Sequence, residues 1–574
     1  MNATRLATLW ADPLVQRIVR PYGAIALTAA VLALVVHSGA NIAFFYLQRQ
    51  DSVLLLAGTV LLAFAVLPGR KRGTPLASDW RLAAGIGLAM ALFALAGHGF
   101  ILSGYDTSRD EQLATFDAAI FARGHLFAPL PGLWRDHSDA LNTMFLYPAD
   151  HRGGWVSSYL PGNALIRAGL GRIASAALAG PMWLMTGALA LWGCARTIWP
   201  TEREPAVVAI LLYLASGQIL FAGMTSFAMP AHLSLNLVWL WLFLRRAWWA
   251  DACALAVGFV AVGLHQPLMH PLFAAPLLFL LLVERAWPRA AFFALGYGVI
   301  GAFWMWWPNL MWSLVQADPH AIKPASVGFL TRLAEALRNA SPAEIVNMPV
   351  NLLRFVAWNP LLLLPLIALA APAIRRDRLA SALAFSCALT LAVFTVILPY
   401  QGYGYGYRYL HALLGNMILL AVFGWQAIAA DKPRWRTVLM ATTFGTVVVV
   451  LPLQAMMARD FTRPWAQISQ RIDRVDADYV VIGSLDVPFS HDLVVNAPWL
   501  DRKPVRLLRD EIDRPLITSL CAAHPRVVLA GDGLLAPVAQ YLMPQAGPLH
   551  IAARHNARLA PYLIRAGCHV AVLG

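Results

Sequence analysis

Residues 82–103 read LAAGIGLAMALFALAGHGFILS, and residues 104–112 continue as GYDTSRDEQ. The first run is apolar and has the length of about 20 residues that a helix needs to cross a bilayer. In lipid such a run must be helical, because a helix satisfies its own backbone hydrogen bonds. We therefore expect a transmembrane helix that ends near Ser103, followed by an acidic pair, Asp110 and Glu111, just outside the membrane.

The rest of the chain has the composition of an integral membrane protein. Of its 574 residues, 59% are hydrophobic and 13% are charged, whereas soluble domains carry about 25% charged residues. Similar apolar runs recur along the sequence and predict about thirteen spans. The expected spans are 21–47, 52–68, 82–103, 176–195, 205–223, 229–244, 250–264, 270–283, 290–312, 350–371, 379–399, 410–430 and 437–457.

The positions of the basic residues predict the topology. With the N-terminus in the cytoplasm, Arg49 and Arg408 are the lone basic residues of the short outer segments, which are 48–51, 224–228, 265–269 and 400–409. This is the bias of the positive-inside rule, so the net charge of +14 reflects topology and does not indicate nucleic-acid binding. We expect a multi-pass membrane protein whose thirteen spans put the C-terminal domain on the outer side, which in a bacterial inner membrane is the periplasm.

Three parts are expected along the chain. Residues 1–81 form an N-terminal addition of two helices, residues 82–457 form a transmembrane catalytic module, and residues 458–574 form a tail. The module has two long periplasmic loops at 104–175 and 313–349. In the tail, β-rich runs alternate with helix-like pieces, which predicts a small α/β domain. The β-rich runs are 479–482, 505–508, 526–529 and 569–573.

Five cysteines are present, and two of them fall in the tail. Outside the cytoplasm a disulfide between Cys521 and Cys568 could persist, and the sequence leaves their pairing open. No cysteine spacing resembles a zinc site.

The acidic pair has a structural and a catalytic interpretation. Ser108-Arg-Asp-Glu111 fits a capping box, in which Ser108 caps a helix and Glu111 reaches back to the amide of the cap residue. Capping uses Glu111 and leaves Asp110, whose side chain points about 100° away around the helix. With Arg109 beside it, Asp110 would stay ionised. We interpret Asp110 as a catalytic base and Glu111 as a residue that orients the loop or assists the base.

A second group of candidates lies in residues 399–411, which read PYQGYGYGYRYLH. Glycines allow close approach of the backbone, and tyrosines supply hydroxyl groups and flat apolar faces. One interpretation is an aromatic belt with a turn. The other is an anion site in which Arg408 binds a phosphate by charge-assisted hydrogen bonds, beside Tyr407 and Tyr409. The second is favoured because Arg408 departs from the charge bias of the outer segments.

The remaining candidates are weaker. Polar residues at a membrane face are often functional, so His232 and His265 are candidates for lining a substrate pocket. Lys323 is a candidate for a second phosphate contact, although loop lysines are usually solvated. His265 and His270 have poor spacing for a metal. We predict no metal site and no firmly implied cofactor, and a divalent metal bound by loop carboxylates stays open.

These motifs resemble the GT-C superfamily of membrane glycosyltransferases, closest to its protein O-mannosyltransferase and aminoarabinose-transferase-like branch. Residues 110–124, DEQLATFDAAIFARG, place an acidic pair at the start of the first large outer loop. Residues 155–162, WVSSYLPG, are similar to the Tyr-Pro-Pro-Gly stretch of that branch and add Tyr159 to the substrate-binding candidates. Residues 404–410, GYGYRYL, are similar to its Gly-Pro-Arg-Tyr-Leu stretch, and Met229-Pro-Ala-His232 matches a helix start that often carries His.

The resemblance covers about residues 82–430, with departures. The acidic pair follows the third expected span here and the first in the family, Leu160 replaces the first proline, and Tyr407 replaces the proline before Arg408. The resemblance implies a polyprenyl-phosphate-linked sugar donor, inverting transfer, and Asp110 as the base. The acceptor would be a hydroxyl of a cell-envelope glycan, lipid or protein at the periplasmic face.

Two alternatives remain. One is a transporter or flippase of lipid-linked saccharides, which would carry ionisable residues near the midplane and repeated halves. The other is a glycan polymerase or ligase that uses an outer Arg/His loop without an acidic base.

Overall fold

The computed structural model describes residues 12–36, 41–66, 74–142, 144–149, 151–428, 432–543 and 550–574. Parts of the expected N-terminal addition and of the first expected span therefore lie outside the described residues. The α-helices are Arg20–Val35, Ile42–Tyr46, Ser52–Val66, Trp80–Phe100, Arg109–Ala122, Gly132–Arg135, Gly162–Ile173, Ala179–Ile198, Glu204–Leu214, Gly217–Ala222, Met229–Leu244, Trp248–Val262, Met269–Val283, Trp287–Val315, Phe329–Arg338, Asn347–Trp358, Leu363–Leu369, Ala371–Arg376, Arg378–Ile397, Leu414–Gln426, Lys432–Gly445, Leu451–Asp473, Arg514–Cys521, Asp532–Leu542 and Ile551–Arg565.

The predicted class, a polytopic α-helical membrane protein, is confirmed. In the described part of the chain, eight helices are long and apolar enough to cross a membrane, or up to nine if the bent pair Pro342–Trp358 and Leu363–Leu369 forms one span. Four shorter apolar helices, Glu204–Leu214, Met229–Leu244, Trp248–Val262 and Met269–Val283, fall on four further expected spans. The count of thirteen stays a prediction.

Several expected boundaries differ from the structure. Residues 48–51, expected as an outer segment, are helical within Leu47–Asp51 and belong to the candidate span Ile42–Val66. Their polar sequence suggested a loop, but Asp51 is fully buried and forms an ion pair with Arg354. Such a partner, distant in the sequence, makes a charged residue tolerable inside a helical segment. The last expected span, 437–457, is part of a longer helical stretch, Lys432–Asp473.

One compact unit comprises Met1–Gly97, Ala177–Trp304 and Leu333–Met457. Its helices pack closely where glycine replaces a side chain, as is common between membrane helices. A Cβ atom at Gly424 would lie 1.8 Å from the carbonyl oxygen of Leu366, so the helix Leu414–Gln426 depends on glycine at this crossing. Elsewhere the core is aromatic, with the Trp239 and Phe243 rings stacked at 4.9 Å between centroids.

The second unit comprises His98–Ala176, Met305–Arg332 and Ala458–Gly574. Its strands Tyr479–Ile482, Val505–Leu508, Arg526–Ala530 and His569–Leu573 confirm the four β-rich runs expected in the tail. All four are parallel, and the spatial order is 505–508, 479–482, 526–530, 569–573. Cys521 and Cys568 form a disulfide, Sγ to Sγ 1.99 Å. A two-stranded antiparallel pair joins Ala128–Pro129 to Gly154–Trp155.

Candidate functional site

The helix Arg109–Ala122 begins with the capping box expected from the sequence. The Ser108 hydroxyl accepts from the backbone N–H of Glu111 at 3.3 Å, and the Glu111 carboxylate accepts from the backbone N–H of Ser108 at 3.2 Å. Glu111 is buried. Because its carboxylate makes these bonds, Glu111 fixes the start of the helix and thereby the position of Asp110 in the first turn.

Asp110 is half-buried and accepts a short hydrogen bond from Tyr159. The phenol oxygen of Tyr159 lies 2.5 Å from Oδ1 of Asp110, in the range of charge-assisted O–H···O⁻ bonds. The Tyr159 ring stacks on Phe145 at 5.3 Å between centroids, which orients the phenol. The helix N-terminus favours a negative charge at Asp110 as well. Two residues that the sequence named separately are thus in direct contact.

The segment that carries Tyr159 is tied to the same helix by Asp117. The buried Asp117 carboxylate accepts from the backbone N–H of Ser157 at 3.0 Å and from its hydroxyl. The Ser157 hydroxyl in turn accepts from the backbone N–H of Tyr159 at 3.4 Å. Burial raises the pKa of the Asp117 carboxyl to about 7. Sequence reasoning missed Asp117, although its position two helical turns after Asp110 places both on one helix face.

Arg109 anchors the helix to residues 491–494 of the tail. Its Nη1 donates to the carbonyl oxygen of Val494 at 2.9 Å, and its Nε lies 3.6 Å from Oδ1 of Asp492. Burial raises the pKa of Asp492 to about 7; Arg109 opposes this shift, and Asp110 adds to it. Burial, and then Arg109, lower the pKa of His491 to about 4. Arg109 was expected to support the charge of Asp110, which stays a prediction; in the structure its guanidinium lies beside the buried carboxylate of Asp492.

Arg408 lies in the other unit, at the end of the Tyr/Gly-rich segment. Its backbone N–H donates to Oε1 of Gln401 at 2.9 Å, and its guanidinium carbon lies 5.2 Å from the centre of the Tyr409 ring. Gly406 has φ +69°, and a Cβ there would lie 2.2 Å from Oε1 of Gln218. Glycine is therefore required at 406 by both backbone conformation and space.

The other candidates differ in their surroundings. Tyr407 is fully buried, and Tyr409 stacks on Phe394 at 4.8 Å between centroids. His232 is buried, and neither of its ring nitrogens has a hydrogen-bond partner within the described ranges. His265 is half-buried, and Lys323 is exposed and donates to Oδ1 of Asn309 at 2.7 Å.

The candidates divide between the two units. Asp110, Glu111, Tyr159 and Lys323 belong to the second unit, and Arg408, Tyr407, Tyr409, His232 and His265 to the first. Over the residues whose placement is described, no group of three His, Cys, Asp or Glu side chains is arranged to hold a metal ion.

Comparison with known proteins finds likeness in structure and none in sequence. No protein-family model matches the chain, and no curated protein matches its sequence significantly. The structure is similar to the crystal structure of ArnT from Cupriavidus metallidurans in the apo state, with a TM-score of 0.46 and 13% identity. The match covers 81% of this chain and 89% of that one. At this score and identity the functional assignment rests on the residues themselves.

Proposed function

We propose that the protein is an inverting glycosyltransferase that moves a sugar from a polyprenyl-phosphate-linked donor to a hydroxyl of a cell-envelope glycan, lipid or protein. In this reaction the Asp110 carboxylate takes the proton of the acceptor hydroxyl. The acceptor oxygen forms a bond to the anomeric carbon as the bond from that carbon to the phosphate oxygen breaks. The polyprenyl phosphate leaves with the electron pair of the broken bond.

The position of Asp110 and its hydrogen bond support the proposal most strongly. It lies in the first turn of a helix whose start is fixed by Ser108 and Glu111, and it receives a 2.5 Å hydrogen bond from Tyr159. Because the base is already held in one orientation, little entropy is lost in ordering it when the transition state forms. Tyr159 stabilises the carboxylate form, which is the form that accepts a proton. Glu111 supports the base by holding the helix.

Arg408 is proposed to bind the donor phosphate. Charge accumulates on the leaving phosphate oxygen as the glycosidic bond breaks, and a preorganised guanidinium stabilises it. Arginine suits this task because its planar fork matches phosphate oxygens. Lys323 is proposed as a second phosphate contact, and His232, His265, Tyr407 and Tyr409 as lining of the donor pocket. No metal or other cofactor is assigned a role.

The reaction is proposed to take place at the periplasmic face of the inner membrane. The bias of basic residues supports a location of the 104–175 and 313–349 loops and the tail outside the cytoplasm. The Cys521–Cys568 disulfide supports this location, because disulfides persist in the periplasm and are rare in the cytosol.

A transfer assay with purified protein in detergent tests the proposed reaction. The donors are a panel of synthetic polyprenyl-phosphate hexoses and aminopentoses, and bacterial membranes are the acceptor. The proposal expects release of polyprenyl phosphate together with transfer, and an inverted anomeric configuration in the product. Asp110→Asn and Arg408→Ala should both reduce transfer strongly. A ligase without an acidic base would depend on Arg408 and tolerate Asp110→Asn. A flippase would move the lipid-linked sugar across vesicles and transfer none.

A further inference from the structure

Four backbone carbonyls in residues 399–407 are held by buried side chains. Nδ2 of Asn351 donates to the Pro399 oxygen at 2.8 Å, and Nε2 of Gln218 donates to the Tyr407 oxygen at 2.8 Å. Within the segment, Nε2 of Gln401 donates to the Gly406 oxygen at 2.8 Å. A further donor, Nη2 of Arg354, binds the Gly404 oxygen. All four donor side chains are at least 97% buried. We call residues 399–407 the clamped segment.

Arg354 differs from the other three donors because it carries a charge. It is 2% exposed, and its Nη1 forms an ion pair at 2.8 Å with Oδ1 of Asp51, which is 0% exposed. The Trp358 indole donates to the same Asp51 oxygen at 3.0 Å, and the Tyr46 ring centre lies 3.6 Å from the guanidinium carbon. One guanidinium therefore joins Asp51 to the carbonyl of Gly404.

A buried ion pair of this kind contributes little net stability, since desolvating both charges opposes their attraction. Its main effect is on the orientation of the Arg354 guanidinium. The guanidinium is planar and donates in fixed directions, so the ion pair with Asp51 determines where the Gly404 carbonyl lies. From Gly404 the chain runs through Gly406 to Arg408, and Gln401 holds the middle and the end of that stretch by binding the Gly406 oxygen and the Arg408 amide.

We propose that Arg354, oriented by Asp51, is a positioning residue that fixes the clamped segment and thereby the guanidinium of Arg408. The inference rests on the proposed function in so far as Arg408 binds the donor phosphate. Arg354 itself acts through the Gly404 carbonyl.

Arg354→Lys tests the proposal, because lysine keeps a positive charge for Asp51, whereas its single ammonium nitrogen cannot occupy the positions of both Nη1 and Nη2. Arg289→Lys is the matched control. Arg289 also pairs with a carboxylate, that of Asp251, in this case through two contacts at 2.7 and 2.8 Å. Like Arg354, it donates to a backbone oxygen, that of Phe243, and lies over an aromatic ring. It is far from the clamped segment in sequence and makes none of the clamp bonds.

Hydrogen–deuterium exchange of the full-length protein in detergent is the first readout, and it needs no activity. We expect Arg354→Lys to raise amide exchange in residues 400–409 at least tenfold, and Arg289→Lys to leave that segment unchanged. Equal exchange in wild type and Arg354→Lys would overturn the positioning role. If Arg354→Lys raises exchange but the wild-type protein transfers no sugar, the positioning role stands and the glycosyltransferase proposal is rejected.

The second readout is a double-mutant cycle on transfer from a polyprenyl-phosphate sugar. A misplacement of about 1 Å in a catalytic contact lowers a rate by up to about 100-fold. Arg354→Lys should therefore lower kcat about 10- to 100-fold in the wild-type background and have no further effect in the Arg408→Ala background. Equal effects in both backgrounds would show that Arg354 does not act through Arg408.

If Arg354→Lys does not fold, the double variant Asp51→Asn, Arg354→Gln replaces it. It removes both buried charges together, which is usually tolerated, and it still removes the guanidinium bond to Gly404. The same rise in exchange and the same dependence on Arg408 are expected, and their absence in a folded double variant would contradict the proposal.

Discussion

The bond between Tyr159 and Asp110 leads to a quantitative prediction for Tyr159→Phe. The substitution removes the phenol oxygen that lies 2.5 Å from Oδ1 of Asp110 and keeps the ring that stacks on Phe145. A hydrogen bond to a charged group contributes about 1.5–3 kcal/mol. Losing it destabilises the carboxylate relative to its protonated form, so the base becomes protonated at higher pH.

One pH unit corresponds to about 1.36 kcal/mol. We therefore expect the acid limb of the pH profile of kcat for sugar transfer to move upward by about one to two pH units in Tyr159→Phe. Below the limb the variant should be about 10- to 100-fold slower than wild type. Well above it the two rates should converge, because both proteins then carry the carboxylate.

Tyr147→Phe is the matched control for this experiment. Tyr147 lies in the same loop and is 2% exposed, and its hydroxyl has no hydrogen-bond partner among residues with described positions. Its removal should leave the acid limb in place. An unchanged limb in Tyr159→Phe, or an equal displacement in both variants, would refute the role assigned to the Tyr159–Asp110 bond.

Three further predictions concern stability and the segment before Arg408. Burial raises the pKa of Asp117 to about 7, so the folded state keeps a proton that the unfolded state loses, and the free energy of unfolding falls as pH rises from about 5 to 8. In thermal unfolding, Asp117→Asn should remove roughly 3 kcal/mol of this fall. The same pH dependence in wild type and Asp117→Asn would contradict the prediction. Replacing Cys521 and Cys568 by Ser removes a disulfide that joins residues 47 positions apart. The free energy of unfolding of the tail, measured by chemical denaturation, should fall by about 4 kcal/mol, and an unchanged midpoint would disprove this. Gly406→Ala should reduce transfer at least tenfold while Gly402→Ala, where a Cβ meets nothing within 4 Å in the described structure, should retain it; equal rates would show that the space at Gly406 is not limiting.

Local patterns in the sequence predicted local structure. The capping box at Ser108 and Glu111 is encoded within four residues, and the structure has it. The tail strands were predicted at nearly their observed bounds, because β-branched runs between turn residues are specific for strands. Likewise, apolar length identified the membrane-spanning class.

Contacts between distant residues were not predicted. Asp51 and Arg354 are 303 positions apart, and a polar stretch such as 47–51 looks like a loop until its partner is known. Asp110 and Tyr159, 49 positions apart, were both named as candidates, and their hydrogen bond depends on how Asp117 holds Ser157 against the helix. Such contacts depend on packing, which periodicity does not encode.

The kcat of Asp110→Asn at saturating polyprenyl-phosphate sugar measures whether Asp110 is the base of a sugar transfer. Asp136→Asn is the control, since Asp136 is an exposed carboxylate of the same loop. Loss of a general base lowers a rate by about 10²- to 10⁴-fold, so Asp110→Asn should lose that factor while Asp136→Asn retains the wild-type rate. Transfer at the wild-type rate by Asp110→Asn would contradict the role of Asp110 as the base.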